Sequence, residues 1–165
     1  MGIYVNPNND GLKQSLNSKI YVDKSGMIEV TNSLLDTRQN CMCISRPRRF
    51  GKSMNIDLLI AYYSKGCDSK DLFANLKIAK NPDFEEHLNK YNVIWLNLPK
   101  FKEPGCGVET VLPAMISELK RELKEEFPDI IKETNRPIQL LLTDIYKSTK
   151  EKFIVLIDEW DFIFR

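Results

Sequence analysis

The segment richest in potential chemistry is Arg46-Pro47-Arg48-Arg49-Phe50-Gly51-Lys52-Ser53. Gly51, Lys52 and Ser53 close the phosphate-loop template G-x-x-x-x-G-K-[ST], which lies between a strand and a helix. Each position has a physical task. Gly51 lets the backbone approach a β-phosphate with no Cβ in the way. Lys52 sets a positive charge on the β- and γ-phosphates, which makes it a candidate catalytic as well as binding residue. The Ser53 hydroxyl is a ligand for Mg2+. The amides at the start of the following helix, aided by its dipole, receive the phosphate charge. The first template glycine is replaced by Arg46, and Pro47 removes one amide donor and holds Arg46 extended. The donors that matter most run from Arg49 to Ser53, and none of these is proline, so the loop is altered but workable. Arg48 and Arg49 have two readings of equal weight, as phosphate or partner contacts and as solvated arginines.

A second cluster follows the apolar run Phe153-Ile154-Val155-Leu156-Ile157, which ends in Asp158-Glu159. A carboxylate at the C-terminal end of a buried parallel strand emerges where open α/β sheets bind their ligands. There Asp158 would hold Mg2+, and Glu159 would orient or deprotonate a water attacking the γ-phosphate. An acidic pair after a strand is in isolation an ordinary polar turn, and only the loop upstream favours the catalytic reading. Asp161 adds a third acid, either supporting the pair or lying at the surface. Trp160 is read as core or lid.

The elements around these clusters follow from hydrophobic period and punctuation. Residues 1–19, rich in Asn, Gly and Ser, are expected to form a loosely ordered leader, with the domain itself over 20–165. Ile20–Asp23 reads as a short extended segment, followed by a helix capped by Ser25 and ending before Asn40. Cys41–Ser45 is expected to be a compact buried strand leading into the loop, and Ser53–Lys65 the helix leaving it. Val93–Leu98 reads as a second strand stopped by Pro99. Val111, Met115, Ile116, Leu119, Leu123 and Phe127 define a long amphipathic helix with Pro113 in its first turn. Pro137 opens another helix, and Phe153–Ile157 is a strand buried on both faces, as in a parallel sheet. Strand, helix, strand, helix, strand is the α/β pattern.

A formal net charge of +1 gives no global argument for a nucleic-acid or membrane partner. No basic stripe with interleaved aromatics supports nucleic-acid binding, and no apolar run approaches the roughly 20 residues needed to span a bilayer. Cys41, Cys43, Cys67 and Cys106 form no C-x-x-C pair, and the single histidine, His87, has no ligand pattern around it. Zinc is therefore disfavoured. Cys41 and Cys43 read as small core side chains, and unpaired thiols without a signal sequence fit a cytoplasmic location.

Three strings carry a family resemblance: Tyr21-Val22-Asp23-Lys24-Ser25, Ser45 through Ser53, and Leu156-Ile157-Asp158-Glu159-Trp160-Asp161. Together they resemble the AAA-ATPase-like proteins of bacteria and archaea, many of which carry a PD-(D/E)XK nuclease-like domain further along. The similarity covers nearly the whole chain, and it accounts for Arg46 as a family feature. It implies a three-layer α/β/α P-loop fold with a mainly parallel sheet, and ATP as the nucleotide, which the residues alone do not distinguish from GTP. It implies Mg2+-dependent hydrolysis with Glu159 as the catalytic glutamate, the Tyr21–Lys24 segment near the nucleotide with Tyr21 and Asp23 as its contacts, and self-association, since this class often assembles.

Proteins of this class order their strands 5-1-4-3-2, and the chain ends before the fourth. The expectation is therefore a portion truncated after the strand that bears Asp158, without polar sensor, arginine finger or nuclease-like domain, and weak or inactive alone. Its first strand would lack a neighbour on one side. The competing reading is a nucleotide-gated protein-interaction module, with Arg48, Arg49 and the Lys120–Lys124 face as contacts. A small-molecule kinase ranks lower, because those enzymes usually act without an acidic pair on this strand.

Overall fold

The computed structural model describes residues 2–45, 50–102 and 104–164. These form two compact units, Asn8–Lys90 and the pair of segments Met1–Pro7 and Tyr91–Arg165.

The Asn8–Lys90 unit is helical. Its elements are α1 (Asp10–Leu16), α2 (Met27–Leu34), α3 (Lys52–Tyr63) and the short helices α4 (Lys70–Phe73) and α5 (Phe84–His87), with a 3-10 turn at Lys77–Lys80. The C-terminal half of α3, Leu58 to Tyr63, is buried all round, whereas Ser53 and Met54 in its first turn are exposed. The exposed first turn is the part of a helix whose amides have no intrahelical acceptor. The buried end is held by aromatics and amides. Tyr62 lies edge-on to Tyr63 and Phe73, with centroids 4.9 and 5.7 Å apart. The Tyr63 hydroxyl donates to Asn32 Oδ1 at 2.6 Å, joining α3 to α2. Asn89, in a left-handed conformation (φ 55°), donates from Nδ2 to the carbonyls of Ala61 and Ser64, both at 2.9 Å. It thus satisfies carbonyls that the end of α3 leaves without helical partners.

The second unit holds β1 (Asn92–Asn97), α6 (Val111–Glu126), α7 (Ile138–Thr149) and β2 (Phe153–Asp158). The strands pair in parallel, with Asn92 opposite Phe153 and Asn97 opposite Asp158. Leu119 and Leu123 of α6 and Leu141 and Ile145 of α7 pack with Ile94 and Leu96 of β1 in one core. The molecule is mixed α/β, with a small two-stranded parallel sheet among the described residues.

Four expectations need correction. Residues 1–19 are not a loose leader: Val5 bridges Ile94 in antiparallel fashion, Val5 and Leu12 are fully buried, and Asp10–Leu16 is helical. The opening segment is ordered because it satisfies one edge of β1, with Trp95 N–H donating to the Tyr4 carbonyl and Asn6 N–H to the Val93 carbonyl, both at 2.8 Å. It is also clasped by Glu122, only 3% exposed, which accepts the amides of Ile3 at 3.0 Å and of Tyr4 and Val5 at 2.8 Å. A Cβ on Gly2 would fall 2.1 Å from Glu122 Oε2, so the clasp needs glycine there.

Cys41–Ser45 is not a buried strand; all five residues are exposed and outside any strand. A strand exists only where its backbone groups find a ladder partner, and the described residues contain one ladder, β1 with β2. Cys41 and Cys43 are accordingly exposed, not core. β2 is not covered on both faces, since Val155 and Ile157 are 50% and 48% exposed. Ser25 does not cap α2: Gly26 takes the N-cap position, and Ser25 Oγ accepts the Ile78 amide at 3.1 Å.

Candidate functional site

The candidate residues fall in both compact units, and each group has its own geometry. In the helical unit, Arg46, Pro47, Arg48 and Arg49 lie outside the described residues. From Phe50 onward the chain turns sharply. Gly51 sits in the left-handed region (φ 74°, ψ 33°) at the N-cap of α3, a conformation that costs a residue with a Cβ about 1–2 kcal/mol. Its carbonyl accepts the Asn55 amide at 3.1 Å, the first helical bond. Lys52 and Ser53 then occupy the first turn, where amides have no intrahelical acceptor. No acidic side chain stands in that turn to offset the positive end of the dipole. Glycine hinge, lysine, hydroxyl and helix N-terminus are together the kind of donor set that an anionic phosphate uses.

The Tyr21–Ser25 segment reaches this turn through Lys24, whose Nζ donates to the Phe50 carbonyl at 2.8 Å. Asp23 anchors the segment. Its Oδ1 accepts the Ser25 amide and its Oδ2 the Lys77 amide, both at 2.8 Å. Burial favours the neutral acid, but the hydrogen bonds from Ser25 and Lys77 outweigh it and hold the Asp23 carboxyl below its usual range. Tyr21 is half-buried; its hydroxyl is pushed up, first by burial and then by the Asp23 charge.

A depressed folded-state pKa gives stability that is present above the unfolded value and is lost as the pH falls through the folded one. Asp23→Asn is thus expected to flatten the stability–pH curve below about pH 4, as chemical denaturation at several pH values would show. A curve parallel to the wild type through that range would count against the anchor.

In the second unit Asp158 ends β2 and is 6% exposed. Its Oδ1 accepts the Glu159 amide at 3.0 Å, and its Oδ2 is 3.4 Å from Asn97 Nδ2, a donor on the neighbouring strand. Glu159 follows in the left-handed region (φ 52°) with its carbonyl accepting the Phe162 amide at 2.9 Å. Strained non-glycine residues persist only where their surroundings impose the conformation, and they concentrate at functional sites. The turn places a buried carboxylate and a half-exposed one in succession at the C-terminal end of a parallel strand.

The described residues contain no group of three or more His, Cys, Asp or Glu able to hold a metal ion. Mg2+ does not require one, since it keeps several waters and takes one or two protein oxygens besides those of a nucleotide. Ser53, exposed in the first turn of α3, and Asp158, at the end of β2, each carry an oxygen of a type that Mg2+ accepts. No helix among the described residues is long and apolar enough to cross a membrane.

Two contacts were not legible in the sequence. Lys24 was expected near the nucleotide only as part of the Tyr21–Lys24 segment, and its hydrogen bond to the Phe50 carbonyl comes from the folded chain. Asn97 lay without a role inside the expected strand Val93–Leu98, and the parallel register that sets it against Asp158 leaves no local trace.

Comparison with known proteins agrees with the motif strings. Residues 13–164 match the family model AAA-ATPase-like, described as a predicted AAA-ATPase. No curated protein and no solved structure matches the chain.

Proposed function

Because this chain belongs to the AAA-ATPase-like family, we propose that it binds ATP and hydrolyses it with Mg2+, through a P-loop domain of three-layer α/β/α type. The observation that carries the reading is the left-handed Gly51 turn, which opens directly on Lys52 and the unoffset N-terminus of α3. In this reading Arg46 through Ser53 are the phosphate-binding residues, and Lys52 neutralises charge that grows on the β- and γ-oxygens during transfer. Ser53 and Asp158 are the residues that would offer oxygens to Mg2+. Glu159 orients the attacking water and accepts its proton. Tyr21 lies toward the nucleotide, while Asp23 acts by fixing the segment. Bound nucleotide supplies the electrophilic γ-phosphorus; the chain's part is to hold, neutralise and deprotonate. Self-association belongs to the same reading.

Asp158→Asn tests it, because the substitution keeps the size and polarity of a buried side chain and removes only its charge. ATP affinity measured with and without Mg2+ should then lose its dependence on the metal, while metal-free ATP binds as to the wild type. An undiminished Mg2+ effect in the variant would remove Asp158 from the metal site.

A further inference from the structure

We infer that Lys24 is a positioning residue for the phosphate loop, its ammonium pinning the Phe50 carbonyl and thereby fixing the direction of the Gly51 amide. The inference rests on the phosphate-site reading of Phe50–Ser53 given above.

The Phe50 carbonyl and the Gly51 N–H belong to one planar trans peptide and point in opposite directions. Lys24 Nζ donates to that carbonyl at 2.8 Å, and it lies 3.1 Å from where a Cβ on Gly51 would stand. The carbonyl is thus turned toward Lys24, and the amide of Gly51 is turned away from it. A peptide beside a glycine is the one most free to flip, since glycine accepts both signs of φ. Without the ammonium the Phe50 carbonyl loses that hydrogen bond, and a flip would bring an oxygen to where an amide donor had pointed.

The lysine is suited to this because its backbone is held in place. The Lys24 carbonyl accepts the Met27 amide at 3.0 Å, and the Ser25 carbonyl the Ile28 amide at 2.9 Å, starting α2. On one side of Lys24 the Asp23 carboxylate takes the Lys77 amide; on the other, fully buried Ser25 takes the Ile78 amide. A long exposed side chain ordinarily gives up rotamer freedom to form one bond, and a fixed stem keeps its head within reach of a single carbonyl. The charged donor also makes this bond stronger than one between neutral groups.

The test combines hydrogen exchange of the segment Gly51–Met54 in the nucleotide-free chain with Mg-ADP and Mg-ATP titrations. Lys24→Met is expected to speed exchange in that segment and to weaken both nucleotides alike, by about tenfold, the usual weight of one hydrogen bond to a charged group. Lys24→Arg, which keeps a charged donor, should recover most of the affinity. Lys19→Met, which removes an exposed charge five residues before Lys24 in the chain, should bind as the wild type.

Exchange and affinities within about twofold of the wild type for Lys24→Met would overturn the inference. So would a loss confined to Mg-ATP, which would make Lys24 a direct γ-phosphate contact. If the wild type takes up no nucleotide, the phosphate-site reading fails, and the exchange rates alone decide whether Lys24 fixes the turn.

Discussion

Glu122→Ala should lower the stability of the chain by about 3–5 kcal/mol, the range seen when a buried charge-assisted network loses one partner. The carboxylate accepts three consecutive backbone amides, from Ile3, Tyr4 and Val5, and is almost fully buried. Alanine would leave those donors unsatisfied and release the segment that pairs with one edge of β1. It would also loosen Asn6, whose Nδ2 donates to Glu126 Oε1 at 2.9 Å and whose Oδ1 accepts the Val93 amide at 2.9 Å. Single domains have only about 5–15 kcal/mol in total, so the melting midpoint should fall by roughly 10 °C or more. Glu122→Gln should fall between the two, because its one carbonyl oxygen can still serve two amides while its NH2 group faces a third donor. Denaturant and thermal melts of the three proteins measure this. Identical midpoints would show that the clasp contributes nothing.

Lys52→Ala should weaken Mg-ATP binding by about 3 kcal/mol, a factor of roughly 100 in Kd, as expected when the ammonium paired with two phosphate groups is removed. The fold itself should not suffer. Lys52 is the first residue of α3, partly exposed, and alanine has the higher helix propensity. Equal melting temperatures would therefore assign the loss to the missing charge. The expected effect exceeds that of Lys24→Met because Lys52 is read as touching the phosphates, and Lys24 as aiming an amide.

The elements that repeat a local pattern were legible in the sequence. The apolar stripe from Val111 to Phe127 marked a helix, and Val111–Glu126 is one. The run ending at Asp158 marked a strand, and Phe153–Asp158 is one, paired in parallel with Asn92–Asn97. The loop's closing residues placed a helix start within one residue of where α3 begins.

What was not legible depends on distant partners. Val5 meets Ile94, and Glu122 meets the amides of residues 3–5; backbone donors carry no residue signature, so a polar opening segment resembled a leader. Cys41–Ser45 has the composition of a strand, yet composition supplies no ladder, and the segment stands exposed. The Lys24–Phe50 contact and the Asn97–Asp158 pair arise from a fold-level approach and a register. The candidate site was thus visible as motifs, while the residues that aim those motifs were not.

The central claim is that the Gly51–Ser53 turn is a nucleotide phosphate site. Calorimetric titration of Mg-ATP into the wild-type chain and into Lys52→Ala, at matched salt and protein concentration, tests it most directly. Saturable one-site binding is expected for the wild type, with affinity lower by roughly two orders of magnitude for the variant. Equal affinity in the two proteins, or no uptake of Mg-ATP by the wild type, would contradict it.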